Sequence, residues 1–375
     1  MARKLRVGKT VLLSSKEVQG FLPDIRKKGL SGGVLYYDGQ FDDSRLAINL
    51  AQTSAQKGAT LLNYVKVTSL QKNELGKVSG VQAHDVLTGE KFEFQSRVTI
   101  NATGVFVDDI LSMNAVTKKP LVKVSQGIHL VLDKSFLKGD HAMMIPATSD
   151  GRVLFALPWH DHLLVGTTDT PLDSPSIEPV ALESEIDFVL KNLENYLERK
   201  PTRKDILSVF AGLRPLVVPG KEKGTKEISR DHKLKTSASD LITITGGKWT
   251  TYRRMAEDTV NQAIKVAGLD PRECMTAHLK IHGYTSVPPT LGHLNIYGSD
   301  AKKILSLTEE NSELKELLHP GFHHIMAEVV WIVRNEMPQT IEDVLGRRLR
   351  VLFLNTKAAL EMAPKVAEIL AKELH

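Results

Sequence analysis

Residues 241–263 read "LITITGGKWTTYRRMAEDTVNQA", and no other stretch restricts the fold of this chain so tightly. A β-branched run, Leu241 to Thr245, meets Gly246 and Gly247 and then a polar cluster, Lys248 to Tyr252, that opens a helix through Ala263. Strand, glycine pair and helix start in direct succession suit a cofactor seat. Glycines admit another molecule to the backbone, and free N–H groups at a helix N-terminus beside Lys248 favour negative charge. Yet the sequence contains no Gly-x-Gly-x-x-Gly fingerprint and no complete Walker A motif.

At 375 residues the chain is long enough for two or three domains with sizeable cores. Its 42% hydrophobic and 25% charged residues are those of an ordinary globular protein. The net charge of +5 comes from 49 basic against 44 acidic side chains, spread without a basic block. That balance argues against nucleic acid and is explained equally by an anionic small substrate or an acidic lipid surface. Cys274 is the only cysteine, which excludes an intrachain disulfide and a thiolate metal cage and fits a reducing cytoplasmic setting. The first twenty residues carry charge but no long apolar stretch, and nowhere do 18 uncharged apolar residues run together. Neither a signal peptide nor a membrane span is therefore expected; peripheral contact with the inner face of the cytoplasmic membrane stays open.

Four textures follow one another. "GLSGGVLYYDG" is glycine-rich and strand-like, and "FDDSRLAINLAQTSAQKGA" has helical spacing with a Gly58 stop. "TLLNYVKVTSL" predicts a strand, "GKVSGVQAHDVLTGEKFEFQSRVTI" an antiparallel hairpin, and "INATGVFVDDIL" a strand, a tight turn at Ala102 to Gly104 and a helix start. From Pro120 to Thr170 a run of short strands predicts one mixed or antiparallel sheet. "SEIDFVLKNLENYLERK" predicts an amphipathic helix, and "SVFAGLRPLVV" and "KEISRDHKL" return to strand. Beyond about Ala267, "SELKELL", "HHIMAEVVWIVRNE", "TIEDVLGRRLRVLFL" and "KAALEMAPKVAEILAKEL" have helical period, with Pro288 and Pro289 in a linker before them.

Single motifs leave alternatives open. Gly8-Lys9-Thr10 is the tail of a Walker A motif with Arg3 where glycine is needed, and chance accounts for it better. His319, His323 and His324 lack a carboxylate at helical ligand spacing and read as a solvated helix start, so no metal is expected. His129 in "QGIHLVLD" alternates with apolar residues, as a sheet-face histidine and a catalytic one both would. Arg214 in "GLRPL" lies between apolar neighbours and is stiffened by Pro215, which suits a paired or ligand-facing guanidinium as well as a surface charge. "PWH" and "GTTDT" place an aromatic, small hydroxyls and Asp169 at strand ends, where sites and structural turns use the same residues.

Taken in order, "LSGGVLYYDGQFDDSRLAI", "INATGVFVDD", "GIHLVL", "PATSDGRVLFALPWH", "GTTDTP", "AGLRPLV", "ISRDH" and "LITITGGKWTTYRRMAEDTV" resemble the FAD-dependent glycerol-3-phosphate dehydrogenases of the respiratory, mitochondrial type. The similarity runs from about Gly29 to the C-terminus and includes "GRRLRVLFLN". Members of that family begin with a strand, a Gly-x-Gly-x-x-Gly turn and a helix that hold the FAD diphosphate, a segment this sequence is expected to lack. The resemblance implies an α/β fold, α+β overall. Its parts would be an incomplete Rossmann-like FAD-binding domain over 41–110 and 238–268, a β-rich substrate domain over 1–40 and 111–237, and an all-helical C-terminal domain over 275–375.

It also implies oxidation of sn-glycerol 3-phosphate at C2 to dihydroxyacetone phosphate, hydride transfer to flavin N5, quinone as electron acceptor and the option of a homodimer. Among the matched positions His129 would be the base, because arginine stays protonated. Arg214 and Arg230 would clamp the phosphate and substrate, and Lys248 would be a cation near flavin and substrate, so that His129, Arg214 and Lys248 carry catalysis. Gly246, Gly247, Trp249, Thr250 and Thr251 would line the isoalloxazine, Ala102, Thr103 and Gly104 would lie close to the cofactor, and Val67 would flank the adenine. The alternatives are a non-catalytic remnant and another amine- or hydroxy-acid-oxidising flavoenzyme of the same fold.

Overall fold

The computed structural model describes residues 7–115, 119–218 and 232–374. In chain order the regular elements are β1 (Val11–Ser14), α1 (Ser15–Phe21), β2 (Gly32–Leu35), α2 (Asp43–Gln56), β3 (Val65–Lys72), β4 (Val78–Asp85), β5 (Lys91–Gln95), β6 (Ile100–Asn101) and α3 (Val107–Asn114). There follow β7 (Val122–Asp133), β8 (Met143–Ile145), β9 (Leu154–Trp159), β10 (His162–Gly166), β11 (Thr170–Leu172), α4 (Glu183–Leu193), β12 (Ile206–Val217), β13 (His232–Thr236), β14 (Ile242–Gly246) and α5 (Tyr252–Val266). The C-terminal part holds α6 (Ala301–Glu310), α7 (Met326–Asn335), α8 (Ile341–Leu345), α9 (Val351–Leu354) and α10 (Thr356–Leu374). No helix among the described residues is long and apolar enough to cross a membrane.

β7 organises the largest sheet, pairing antiparallel with β10, β11 and β12, while β9 and β8 extend it beyond β10. The expected run of short strands is thus one antiparallel sheet. Successive side chains alternate faces, so Ile128, Leu130 and Leu132 point together into a core with Ile186, Val189 and Leu193 of α4. Ser125, Gly127, His129 and Val131 turn to the opposite face. At the helix end of that core Glu185, buried in the first turn of α4, accepts from Thr168 Oγ1 (2.7 Å), Thr170 Oγ1 (2.6 Å), Gln126 Nε2 (2.8 Å) and Leu182 N (3.0 Å). Burial would raise its pKa; these hydrogen bonds outweigh that and hold the carboxyl below the usual range.

Among the described residues β1 and β2 form an antiparallel pair, and two three-stranded sheets accompany the large one. β3, β4 and β5 form an antiparallel meander, as the hairpin pattern predicts. β14 pairs parallel with β6 and antiparallel with β13, so among the described residues this is the parallel pair that a Rossmann-like sheet would supply.

The helical C-terminal region departs from its sequence pattern in two places. "SELKELL" contains only a 3₁₀ turn at Ser312–Lys315, because Asn311 caps it and Leu317 is drawn into a bridge with Ile325. "TIEDVLGRRLRVLFL" breaks into α8 and α9 at Arg350, whose φ is 67°. α8 ends at Leu345 with Gly346 as its C-cap, and Arg350, which opens α9, turns inward over Trp159 and Phe353, with its Nε 3.5 Å from Asp42 and its Nη2 3.5 Å from Asp43. α7 is buried nearly all round through Ala327, Val329, Val330, Ile332 and Val333, as a central helix must be. α10 lays the stripe Ala358, Ala359, Met362, Val366, Ile369 and Leu370 against it.

α2 is the seam between the two regions. Its Arg45 is buried, 2.5 Å from Glu336 and 4.5 Å over the Tyr297 ring. Removing one partner of a buried pair strands the other charge. Glu336→Ala is therefore expected to lower stability by roughly 3–5 kcal/mol, read as a lower urea midpoint with an unchanged m-value.

Candidate functional site

The face of the large sheet opposite the α4 core carries the polar cluster. In the β7–β12 ladder Arg214 stands opposite Ser125, Gly212 opposite Gly127 and Phe210 opposite His129, while Gly166 of β10 flanks His129 on the other side. The missing side chains at two glycines make room for two functional groups. A Cβ on Gly127 would lie 2.3 Å from Arg214 Nη2, and one on Gly166 would lie 2.4 Å from the His129 ring. Guanidinium and imidazole therefore lie down on the sheet over adjacent glycines instead of standing away from it.

Arg214 Nη2 donates to Thr167 Oγ1 (2.9 Å) and Nη1 to the Thr168 carbonyl (3.1 Å), with Asp169 Oδ1 at 3.9 Å. Asp169 also accepts from Ser125 Oγ, and Arg152 Nη1 donates to the Asp169 carbonyl at 2.8 Å. The loop that does this work is "GTTDT", and Glu185 anchors it from behind through Thr168 and Thr170. His129 stacks on Phe210 at 5.3 Å with an interplanar angle of 19°. Phe210 is backed by Trp159 at 6.2 Å and by Phe353 of α9 at 5.0 Å, so the helical region reaches the histidine through one ring. Burial, and then the Arg214 charge, push the His129 imidazole down to about 4. It is neutral at pH 7 and offers a lone pair.

A second locus lies at the ends of the parallel pair. Ile242 faces Ile100 and Thr243 faces Asn101, so the carboxyl ends of β14 and β6 present Gly246 to Lys248 and Ala102 to Gly104 side by side. Gly104, Gly246 and Gly247 have φ of 60°, 75° and 72°, which lets both strands turn at once. Buried Asn101 fixes one turn by donating to the Val107 carbonyl (3.0 Å) and accepting from Thr103 Oγ1 (2.8 Å). Lys248, Trp249, Thr250 and Thr251 are exposed. Clefts outside the carboxyl ends of parallel strands are where α/β sheets bind ligands. The strand, glycine and helix reading of 241–263 matches β14, the two turned glycines and α5, with a single 3₁₀ turn at Trp249–Thr251 between them.

The family model described as FAD dependent oxidoreductase matches residues 1–253, and that described as the C-terminal domain of alpha-glycerophosphate oxidase matches residues 238–375. The chain belongs to the FAD-dependent oxidoreductase family. It is 39% identical over 392 residues to the mitochondrial glycerol-3-phosphate dehydrogenase of Rattus norvegicus, covering 97% of this chain and 54% of that protein. Against the mitochondrial glycerol-3-phosphate dehydrogenase of Arabidopsis thaliana it is 38% identical over 396 residues, covering 96% and 63%. The chain thus spans little more than half the length of these relatives. The glycerol-3-phosphate dehydrogenase of Bacillus halodurans, solved in complex with FAD, superposes with a TM-score of 0.79 at 28% identity, covering 97% of this chain and 79% of that one. The mixed fold expected from the sequence, with a β-rich part and a helical C-terminal part, is the fold of this oxidoreductase.

His129 and Arg214 come together on one sheet face; Ala102, Thr103, Gly104, Gly246, Gly247 and Lys248 come together at neighbouring strand ends. Val67 sits on β3, in the separate antiparallel meander. Arg230 lies outside the described residues. Sequence reasoning missed Phe210, Arg152 and Glu185, and only the register of β7 against β12 would have pointed to the first. The lowered His129 pKa carries a linkage. Unfolded histidine titrates near 6.5, so between about pH 6.5 and 4 the unfolded state binds the extra proton and stability falls as pH falls. His129→Asn is expected to flatten that part of the curve, measured as the difference in urea stability between pH 7 and pH 5 for wild type and variant.

Proposed function

We propose that this chain carries the substrate-handling face and part of the flavin site of an FAD-dependent dehydrogenase that oxidises sn-glycerol 3-phosphate at C2 to dihydroxyacetone phosphate. One observation carries the reading: a neutral imidazole and a guanidinium lie on neighbouring glycines of one sheet face, in a chain 39% identical to a glycerol-3-phosphate dehydrogenase. The paired turns after β6 and β14 fit FAD. The space beside Gly104 is open, and Thr245 Oγ1 at the end of β14 is buried without a protein partner. Gly246, Gly247, Lys248, Trp249, Thr250 and Thr251 would hold the ring system, with Ala102, Thr103 and Gly104 beside it. When bound, FAD supplies the hydride acceptor.

His129 takes the proton of the C2 hydroxyl. Burial, and then Arg214, suppress its basicity in the free protein, and an anionic phosphate paired with that guanidinium offsets the second, smaller cause. Arg214, fixed by Thr167 and Thr168, presents its N–H groups as a pre-formed clamp. Arg230 is the second clamp in this reading, and Lys248 a cation for negative charge developing at the cofactor. Quinone as acceptor, peripheral membrane contact and a homodimer belong to the same proposal, supported by the likeness to the mitochondrial enzymes.

The test is anaerobic flavin bleaching after mixing the FAD-loaded protein with substrate. His129→Asn is expected to retain FAD and slow reduction by roughly 100-fold or more. Arg214→Ala is expected to raise the half-saturating glycerol 3-phosphate concentration while leaving glycerol as poor a substrate as before. Reduction by an amino acid but not by glycerol 3-phosphate would overturn the substrate assignment.

A further inference from the structure

The helical region contains a second constellation of chemically capable groups. His324 stands four residues before Glu328, so, against the expectation from the histidine run, a carboxylate does occupy helical ligand spacing. Glu328 is fully buried in the first turn of α7, and His293 arrives from the 3₁₀ segment Gly292–Asp300. His293 Nε2 is 2.9 Å and His324 Nδ1 3.0 Å from the two Glu328 oxygens, and one ligand atom from each of the three residues lies within 4.8 Å of the others. Tyr297 donates to Glu328 Oε1 at 3.0 Å and Ile325 N to Oε2 at 2.9 Å. Burial would raise the Glu328 pKa; the charges and hydrogen bonds of His324 and His293 outweigh it and hold the group at about 2.

We propose that His293, His324 and Glu328 form a binding site for a divalent transition ion of zinc's class. Two imidazoles and a carboxylate are the donor set such ions prefer, and three protein ligands leave a fourth position for water. Tetrahedral coordination at 2.0–2.2 Å sets ligand atoms roughly 3.3–3.6 Å apart; the two nitrogens stand 2.9 and 3.0 Å from different Glu328 oxygens and the three ligand atoms lie within 4.8 Å of one another, so the side chains close up on the ion. The His293 side chain is 28% exposed, which gives the ion an entry path. On binding, the ion takes the place of the protons that the imidazoles now direct at Glu328. The His293 proton then resides on Nδ1 and the His324 proton on Nε2. Tyr297 keeps its hydrogen bond to the carboxylate and orients it from behind, packed in turn under Arg45 of α2. The ion would clamp the 3₁₀ segment to α7 beside the seam that α2 makes.

The experiment uses untagged, chelator-stripped protein titrated with zinc chloride against a chromophoric chelator at pH 7.5. One zinc ion per chain is expected. His293→Ala and His324→Gln should each weaken binding by more than the about 10–100-fold typical of losing an outer-shell partner. Tyr297→Phe should fall within that range. His319→Ala, whose ring pairs with Glu361 outside the cluster, should bind as wild type. X-ray absorption on the zinc-loaded wild type reads the ligands without any variant and should show two imidazoles with oxygen. No binding by wild type, equal binding by the His293→Ala and His324→Gln proteins, or an absorption spectrum with fewer than two imidazoles would each overturn the proposal and leave the cluster as a hydrogen-bonded buried carboxylate.

Discussion

The pairing of β7 with β12 is the constraint on which the rest depends. It runs from Val122 opposite Val217 to Leu132 near Ile206, and it alone decides that His129 meets Phe210 and that Arg214 lies beside Gly127. A slip of one residue would send His129 into the α4 core and Ile128 to the open face. The register is pinned from below by Ile128, Leu130 and Leu132, all fully buried, and from the side by Glu185, which gathers Gln126, Thr168 and Thr170. Ordinary hydrophobic packing on one face thus positions polar groups on the other.

The helical region does more than cover an apolar surface. Asp42 caps α2 through Arg45 N at 2.9 Å, reaches His160 Nε2 at 3.2 Å and faces Arg350. One carboxylate therefore joins a helix start, a strand turn and the break between α8 and α9. Burial raises its pKa, and His160, Arg350 and the Arg45 N–H together outweigh that, so it is held ionised. Ser208 Oγ donates to the Leu352 carbonyl and Phe353 packs on Phe210, which places the C-terminal helices one ring away from the imidazole. A substitution at this contact can alter the site without touching it.

Much of this was legible in the sequence where a local rule governs. Period-two alternation marked β7, the double glycine marked the end of β14, and His129 and Arg214 each stood out as polar residues in apolar strands. What was not legible depended on partners remote in the chain. Arg350 lies inside a helical pattern, and nothing near it in the chain shows that it faces Asp42 and Asp43, some three hundred residues earlier. Glu328 reads as one more helical acid until His293 comes up beside it from another segment.

Gly127 and Gly166 have a consequence for how such a site changes over generations. The hollow that receives Arg214 and His129 is made of atoms that are absent, so its floor is backbone, held at Gly127 by the ladder with β12 and at Gly166 by the ladders with β7 and β9. A floor of that kind has no rotamers and cannot be reshaped gradually by trading one side chain for a slightly larger one. Variation in what the site accepts must come from its walls, the "GTTDT" loop and the aromatic rings, while the floor tolerates almost no intermediate.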